Sequence, residues 1–181
     1  MVHVHAWRDF EGGIEMAKEV FTGRFTTENH ENIVVFLIGM RINKWHAVSK
    51  WLPVFNAMPG MIKELYTHKE ELGFISMENY YGLQTTVMIQ YWRSTEDLMA
   101  YAKNEKHLAA WKNFNQKIGN NDAVGIYHET YEVPAGNYES VYGNMPLYGL
   151  GKALNHIPIT AERGSARKRL SKEALRQADV Q

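Results

Sequence analysis

The most regular hydrophobic pattern in the chain is "NIVVFLIGMRIN", residues 32–43. Val34, Phe36, Ile38 and Met40 fall on one alternating face, and Ile33, Val35 and Leu37 on the other. Apolar residues on both faces predict a strand covered from both sides. "GFISMENYYG" at 73–82 and "TTVMIQYW" at 85–92 repeat the strand signal, and the short "GLQ" between them predicts a hairpin. A fourth strand is predicted over 124–133, ending "GIYHETYEV" and stopped by Pro134. Between these runs the period becomes helical. Over 44–67, Trp45, Val48, Trp51, Leu52 and Phe55 recur at helical spacing, and Pro53 and Pro59-Gly60 are expected to break the helix into two or three pieces. From Ser94, a good N-cap with Asp97 three residues on, a second helix is predicted. Leu98, Tyr101 and Leu108 form one stripe of it. His107, Trp111, Phe114 and Ile118 share a neighbouring face, and Gly119-Asn120-Asn121 ends it.

The order β-α-β-β-α-β predicts an α+β fold of the ferredoxin-like, split-βαβ kind. This is a four-stranded antiparallel sheet with both helices on one face. The helix-free face then needs a cover, and a second copy of the chain packed sheet against sheet supplies it, so a homodimer is expected. Residues 1–22 read as an N-terminal extension, with "HVHAW" as a short strand and "GIEMAKEVF" as a helical turn or two. Residues 23–134 read as the ferredoxin-like domain. The loop-rich segment 135–160 is expected to wrap over the domain or its partner. Residues 161–181 read as a basic C-terminal tail, solvated or forming a peripheral helix.

Composition narrows the chemistry. The chain has 181 residues, 45 % of them apolar, and no cysteine. That excludes disulfides, thiolate metal sites, iron–sulfur clusters and cysteine nucleophiles. Formal charge is zero, so no overall basic field exists to hold nucleic acid. The tail from Glu162 carries six Lys/Arg and three Asp/Glu, a local excess of +3. No apolar run reaches the roughly 18 residues that span a bilayer, and the first residues show no apolar signal core. A soluble, cytoplasmic protein is the expectation.

Several residues are candidates for chemistry. On the last strand, Ile126, His128, Thr130 and Glu132 share one face. "HETYE" is similar in letters to the zinc-protease motif HExxH. It has Glu132 in place of the second histidine, and strand geometry sets His128 and Glu132 about 13 Å apart. His128 therefore reads either as a sheet histidine with Glu129 satisfied by a basic partner, or as a base lining a pocket. His107 lies beside Trp111 and Phe114, and a helical imidazole in an apolar wall can act as a base or ligate haem iron. The alternative is an ordinary solvated or hydrogen-bonded histidine. Arg41, Asn43 and Gln90 are polar residues in or ending apolar strands, where they must be paired or line a pocket. Arg41 suits an enolate or carboxylate, or else an ion pair with Glu78 or Glu129. Trp92 reads as pocket wall or core. Met88, with Met40, Met58, Met61 and Met77, can line a pocket for a bulky apolar ligand. His3 and His5 share a face of the presumed first strand.

"GRFT", "VVFLIGMRINKWHAVSKWLPV", "MPGMIKEL", "YWRSTEDLMAYA", "HLAAW", "GIYHETYEV" and "YESVYGNMPLYGL" follow one another over about residues 22–152. Together they resemble the fumagillin-pathway polyketide monooxygenase-like family, long catalogued as a domain of unknown function. The resemblance implies a dimeric α/β-barrel, the fold of the antibiotic-biosynthesis monooxygenases. It carries no agreed catalytic set. The wider fold includes cofactor-free quinone-forming monooxygenases, haem-degrading monooxygenases, chlorite dismutases and haem-dependent aldoxime dehydratases, and in its haem-binding members the proximal histidine comes from a helix. Three readings follow. The first is a monooxygenase-like enzyme acting on a hydrophobic small molecule (polyketide, terpenoid or aromatic). In it His128 or His107 takes a proton, Arg41 and Asn43 steady the anion, and Met88, Gln90, Trp92, Trp111 and Phe114 line the site, with no cofactor. The second is a haem b enzyme with His107 as axial ligand, an oxygenase or an aldoxime-dehydratase-like lyase. The third is a non-catalytic protein that binds a lipophilic ligand.

Overall fold

The structure, a computed structural model, describes residues 18–104, 107, 108, 112, 114 and 121–170. His3, His5, Trp111, Ile118 and the stretches 1–17 and 171–181 lie outside the described residues.

Four strands form the main sheet: β2 (Ile33–Ile42), β3 (Phe74–Tyr81), β4 (Thr85–Trp92) and β5 (Val124–Val133). Their order is β3-β4-β2-β5, every neighbouring pair antiparallel. This is the ferredoxin-like order expected from β-α-β-β-α-β. The two-faced strand β2 sits inside the sheet, bonded to β4 and β5 along its whole length, which is why it is apolar on both sides. The register puts Val34, Phe36, Ile38 and Met40 on one face with Trp92, Gln90, Met88 and Thr86 of β4 and with Glu132, Thr130, His128 and Ile126 of β5.

That face carries the helices. Helix α1 (Val48–Thr67) runs unbroken through Pro53 and Pro59, against the expectation of two or three pieces. Each proline removes one bond, to the carbonyls of Ser49 and Phe55. All four residues are solvent-exposed, so water satisfies the freed oxygens. The buried stripe also differs from the expected one. Trp51, Val54, Met58, Ile62 and Leu65 face the sheet, whereas Val48, Leu52 and Phe55 face out and Trp45 precedes the helix. A short α2 (Lys69–Leu72) ends at Gly73, whose φ of +68° is left-handed. The Asp97 carboxylate occupies the space that a side chain at 73 would need.

Helix α3 (Thr95–Ala102) starts as predicted, with the Asp97 amide donating to the Ser94 hydroxyl at 3.1 Å. A turn at Lys103–Asn104 follows, and His107, Leu108, Lys112 and Phe114 are helical beyond it. The turn resets the helical phase. Leu98 and Tyr101 are buried, but Leu108, expected on the same stripe, is exposed.

The rest of the chain is more ordered than its loop-rich composition suggests. Strand β1 (Phe21–Thr27), which begins before the "GRFT" read as the start of the domain, pairs with β6 (Tyr142–Met145) and β7 (His156–Pro158) in a separate three-stranded sheet. Between β6 and β7, α4 (Leu150–Ala153) packs on the β3 edge, where the Gly149 amide donates to Glu78 at 3.1 Å. The start of the tail, expected to be solvated or a peripheral helix, forms the short α5 (Ala166–Arg169) and is anchored there. Buried Arg169 donates to Glu139 at 2.8 Å, and its carbonyl accepts from the Asn29 amide at 2.7 Å. No helix among the described residues is long and apolar enough to cross a membrane.

Candidate functional site

The helix-bearing face of the sheet is unevenly filled. Over β3, β4 and β2 it is dry: Val34, Ile62, Leu65, Phe74, Met77, Met88, Trp92, Leu98 and Tyr101 form one buried cluster. A smaller cluster, Met40, Ile42 and Val124, lies toward the end of β2. Met58 of α1 packs against both. Along β5 the buried clusters of the described residues end. His128, Thr130 and Glu132 point to the helical side by register and are all exposed. Half-buried Phe36 and Ile38 of β2, Met58, Phe114 and Ile126 therefore form an apolar floor bordered by the polar residues of an edge strand. An apolar floor with a few polar groups at its margin is the usual make-up of a small-molecule site.

His128 stands at this margin, its ring 5.7 Å from that of Phe36. It is an exposed residue beside the floor and not a sheet-core histidine. Glu129 points to the opposite face and accepts from the Tyr131 hydroxyl at 2.6 Å, so its partner is a phenol and not the expected cation. Glu132 accepts from Thr95 at 2.5 Å, which ties the far end of β5 to the start of α3.

His107 is half-buried, and its Nδ1 is a buried atom with no hydrogen-bond partner among the described residues. Burial lowers its pKa, with Glu64 pulling the other way, so the ring is uncharged at neutral pH. Tyr101 lies beside it, 5.3 Å between ring centroids. The Tyr101 hydroxyl is likewise buried and without a partner among the described residues. Burial pushes its pKa to about 12 and keeps it a proton donor. A neutral imidazole beside a neutral phenol, both with spare hydrogen-bonding capacity, can accept a proton and donate to an oxyanion. Tyr101 does not stand out in the sequence, because its place on an apolar helical stripe makes it read as core.

The other candidates separate. Trp92 is fully buried, its ring 5.5 Å from that of Tyr101 and tilted by 38° to it. Its indole N–H donates to the Gln90 carbonyl at 3.0 Å, which accounts for the polar residue inside β4. Met88 is core. Phe114, like Met58 and Ile126, packs against the cluster of Met40, Ile42 and Val124. Arg41 and Asn43 do not join this group. By register Arg41 lies on the helix-free face, donating to Gln84 at 3.2 Å and Thr85 at 3.5 Å. It pairs with neither Glu78 nor Glu129. Asn43, two residues on, is exposed, and its backbone amide donates to Ala123. The parity of β2 separates Arg41 from His128 by the thickness of the sheet.

Comparisons with known proteins follow the same core. A family model described as monooxygenase af470-like matches residues 33–150. Monooxygenase af470 of Aspergillus fumigatus is 28 % identical over 130 residues, which is 67 % of this chain and 46 % of that protein. The chain thus spans less than half the length of this curated relative. An aldoxime dehydratase solved in complex with butyraldoxime superposes with a TM-score of 0.62 at 18 % identity, covering 76 % of this chain and 41 % of the other. A second aldoxime dehydratase gives 0.61 at 20 % identity, covering 80 % and 45 %. At such identities the likeness is one of fold.

Proposed function

The chain belongs to the monooxygenase af470-like family, and from that membership we propose a monooxygenase-like enzyme acting on a hydrophobic small molecule. The polyketide, terpenoid and aromatic classes all suit the apolar floor beside β5. The observation that carries the reading is the pair of buried polar atoms without partners among the described residues, Tyr101 OH and His107 Nδ1, with Tyr101 in the cluster against which Phe36, Ile38 and Met58 pack. In this scheme the substrate lies against Phe36, Ile38 and Met58, which exclude water. His107, uncharged at neutral pH, takes a proton from a carbon or hydroxyl conjugated to a carbonyl. Tyr101 donates to the oxyanion that forms, the part first expected of Arg41. His128, exposed at the margin, passes the proton to solvent. The substrate anion supplies the electrons that reduce dioxygen.

A haem reading rests on the same imidazole. A helical, half-buried, uncharged histidine with a ring nitrogen lacking a partner among the described residues fits an axial ligand. His107 would hold the iron, with Phe114 and Met58 against the macrocycle. When bound, the group would supply oxygen activation, or dehydration of an N-hydroxy compound such as an aldoxime.

The half-buried Val35, Leu37, Val87 and Ile89 and the exposed Tyr127 and Tyr131 share the helix-free face. They support pairing of two copies there.

Oxygen uptake with hydroxylated aromatic polyketides, and the absorption spectrum after adding haemin, test the scheme together. Uptake without a Soret band, lost in His107→Ala, supports the cofactor-free enzyme. A Soret band that disappears in His107→Ala supports haem. Ligand binding with neither would leave a non-catalytic binding protein.

A further inference from the structure

One end of the four-stranded sheet is apolar on the outside. There β2 runs out at Ile42, β3 and β4 meet in the 82–84 turn, and β5 begins at Val124. Backbone bonds hold these loops together: the Ile42 amide donates to Gln84, and those of Asn43 and Lys44 to Ala123. The Trp51 indole donates to the Trp45 carbonyl at 3.1 Å, fixing the start of α1 to the same end. Six large apolar side chains are exposed here. Leu83 at the turn is 89 % exposed and Tyr81 68 %, with Trp45, Val48, Leu52 and Phe55 between 37 and 48 %. The stripe Val48, Leu52 and Phe55 is the outward side of a helix whose inward side already fills the core. It therefore has no structural duty within the chain.

The charges at this end are net positive. Across 41–58, 81–86 and 121–126 the ionised residues are Arg41, Lys44 and Lys50 against Asp122. Lys44 pairs with Asp122 at 2.6 Å, leaving Arg41 and Lys50 in excess in a chain of zero formal charge. The apolar groups sit on a turn apex and a convex helix side, not in a groove. A rigid protein partner would have to match each protrusion, whereas a fluid surface moulds round them. Tryptophan and leucine ringed by cations are the side chains that lodge at the headgroup boundary of an anionic bilayer.

We infer that this end docks on an anionic lipid surface. Leu83, Trp45, Leu52 and Phe55 enter the acyl boundary, and Arg41 and Lys50 meet the headgroups. The inference is independent of the proposed activity. Flotation with vesicles of phosphatidylcholine alone, and of phosphatidylcholine and phosphatidylserine in equal parts, tests it. The full chain floats with the mixed vesicles, weakly with phosphatidylcholine, and less as salt rises. Leu83→Asp with Leu52→Asp lowers the bound fraction on the order of tenfold or more. Leu83→Asp alone, at an exposed turn, gives a measurable loss with an unchanged circular dichroism spectrum. Protein that stays behind with both vesicle types overturns the inference, as does binding indifferent to both variants. Self-association of the wild type that Leu83→Asp abolishes also overturns it, since a second copy would then cover the patch.

Discussion

The rings of Tyr101 and His107 lie 5.3 Å apart, centroid to centroid, and tilted by 55°. Neither Tyr101 OH nor His107 Nδ1 has a hydrogen-bond partner among the described residues. A buried polar group left unpaired costs about 1–3 kcal/mol. Phenylalanine and leucine would fill the same space without that cost, and the two groups being neighbours is the ground of the proposed site.

Tyr101→Phe separates the two roles. Removing a hydroxyl that bonds none of the described residues should leave the urea midpoint unchanged or slightly raised. Oxygen uptake with the substrate should fall by about two to three powers of ten if the phenol steadies an oxyanion. A clear loss of stability with unchanged turnover would make Tyr101 plain core.

The His107 ring carries a pH signature. Its pKa is depressed by burial below the ordinary 6.5. Its contribution to stability is intact above that value. As pH falls, the unfolded ring takes up its proton first, and the contribution is lost through the folded pKa. His156, also depressed by burial, adds a slope of the same sign. Thermal midpoints measured from pH 8 to about pH 5 should decline on acidification, and His107→Gln should make the decline shallower. An identical profile in the variant would contradict this.

The buried pair in β4 is open to a double-mutant cycle. Gln90→Leu strands the Trp92 indole N–H in the core and should cost about 1–3 kcal/mol. In a Trp92→Phe background the same change should cost much less, because no donor remains to be stranded. Equal costs in the two backgrounds would mean that the 3.0 Å bond contributes nothing.

Gly39 should not tolerate alanine. A Cβ there would run into the Thr86 carbonyl and come within 2.7 Å of the Tyr127 ring. The ring can swing away, but the carbonyl belongs to the β2–β4 ladder. Gly39→Ala should therefore cost about 2 kcal/mol or more, and adding Tyr127→Ala should recover only part of it. Full recovery in the double variant would place the whole clash on the ring.

The helix-free face predicts its own outcome. Ile89→Asp puts an unpaired charge among Val35, Leu37 and Val87 if two copies meet there. Light scattering should then show the mass of one chain where the wild type shows two. A wild type of single-chain mass at all concentrations would remove the pairing.

Much of the main sheet was legible because its residues answer to local rules. The run 85–92 begins and ends where β4 does, and 124–133 where β5 does. The alternation that marked β2 as covered on both sides also put it inside the sheet. The Ser94 cap and the 82–84 turn depend on neighbouring residues alone, and so formed where they were read.

Readings failed where the outcome rested on what lies across space. Pro53 and Pro59 looked like breaks, but α1 has enough buried contact beneath it to carry two missing bonds whose carbonyls face water. Arg41 looked like a pocket cation, but one strand position decides which side of the sheet it takes. The start of the tail could be read as solvated or as a peripheral helix, and only the Glu139 partner of buried Arg169 decides between them.

From order and period alone the chain specifies the β-α-β-β-α-β core, because hydrophobic spacing, caps and turns are properties of short segments. It does not reveal in the same way that β1 joins β6 and β7, since pairing between strands over a hundred residues apart leaves no local period. Nor does it reveal that Tyr101 and His107 come to lie ring beside ring while Arg41 stays on the far face. Those relations arise when the two apolar clusters close, and burial then takes both polar atoms away from the water that would otherwise have bonded them, with no replacement among the described residues.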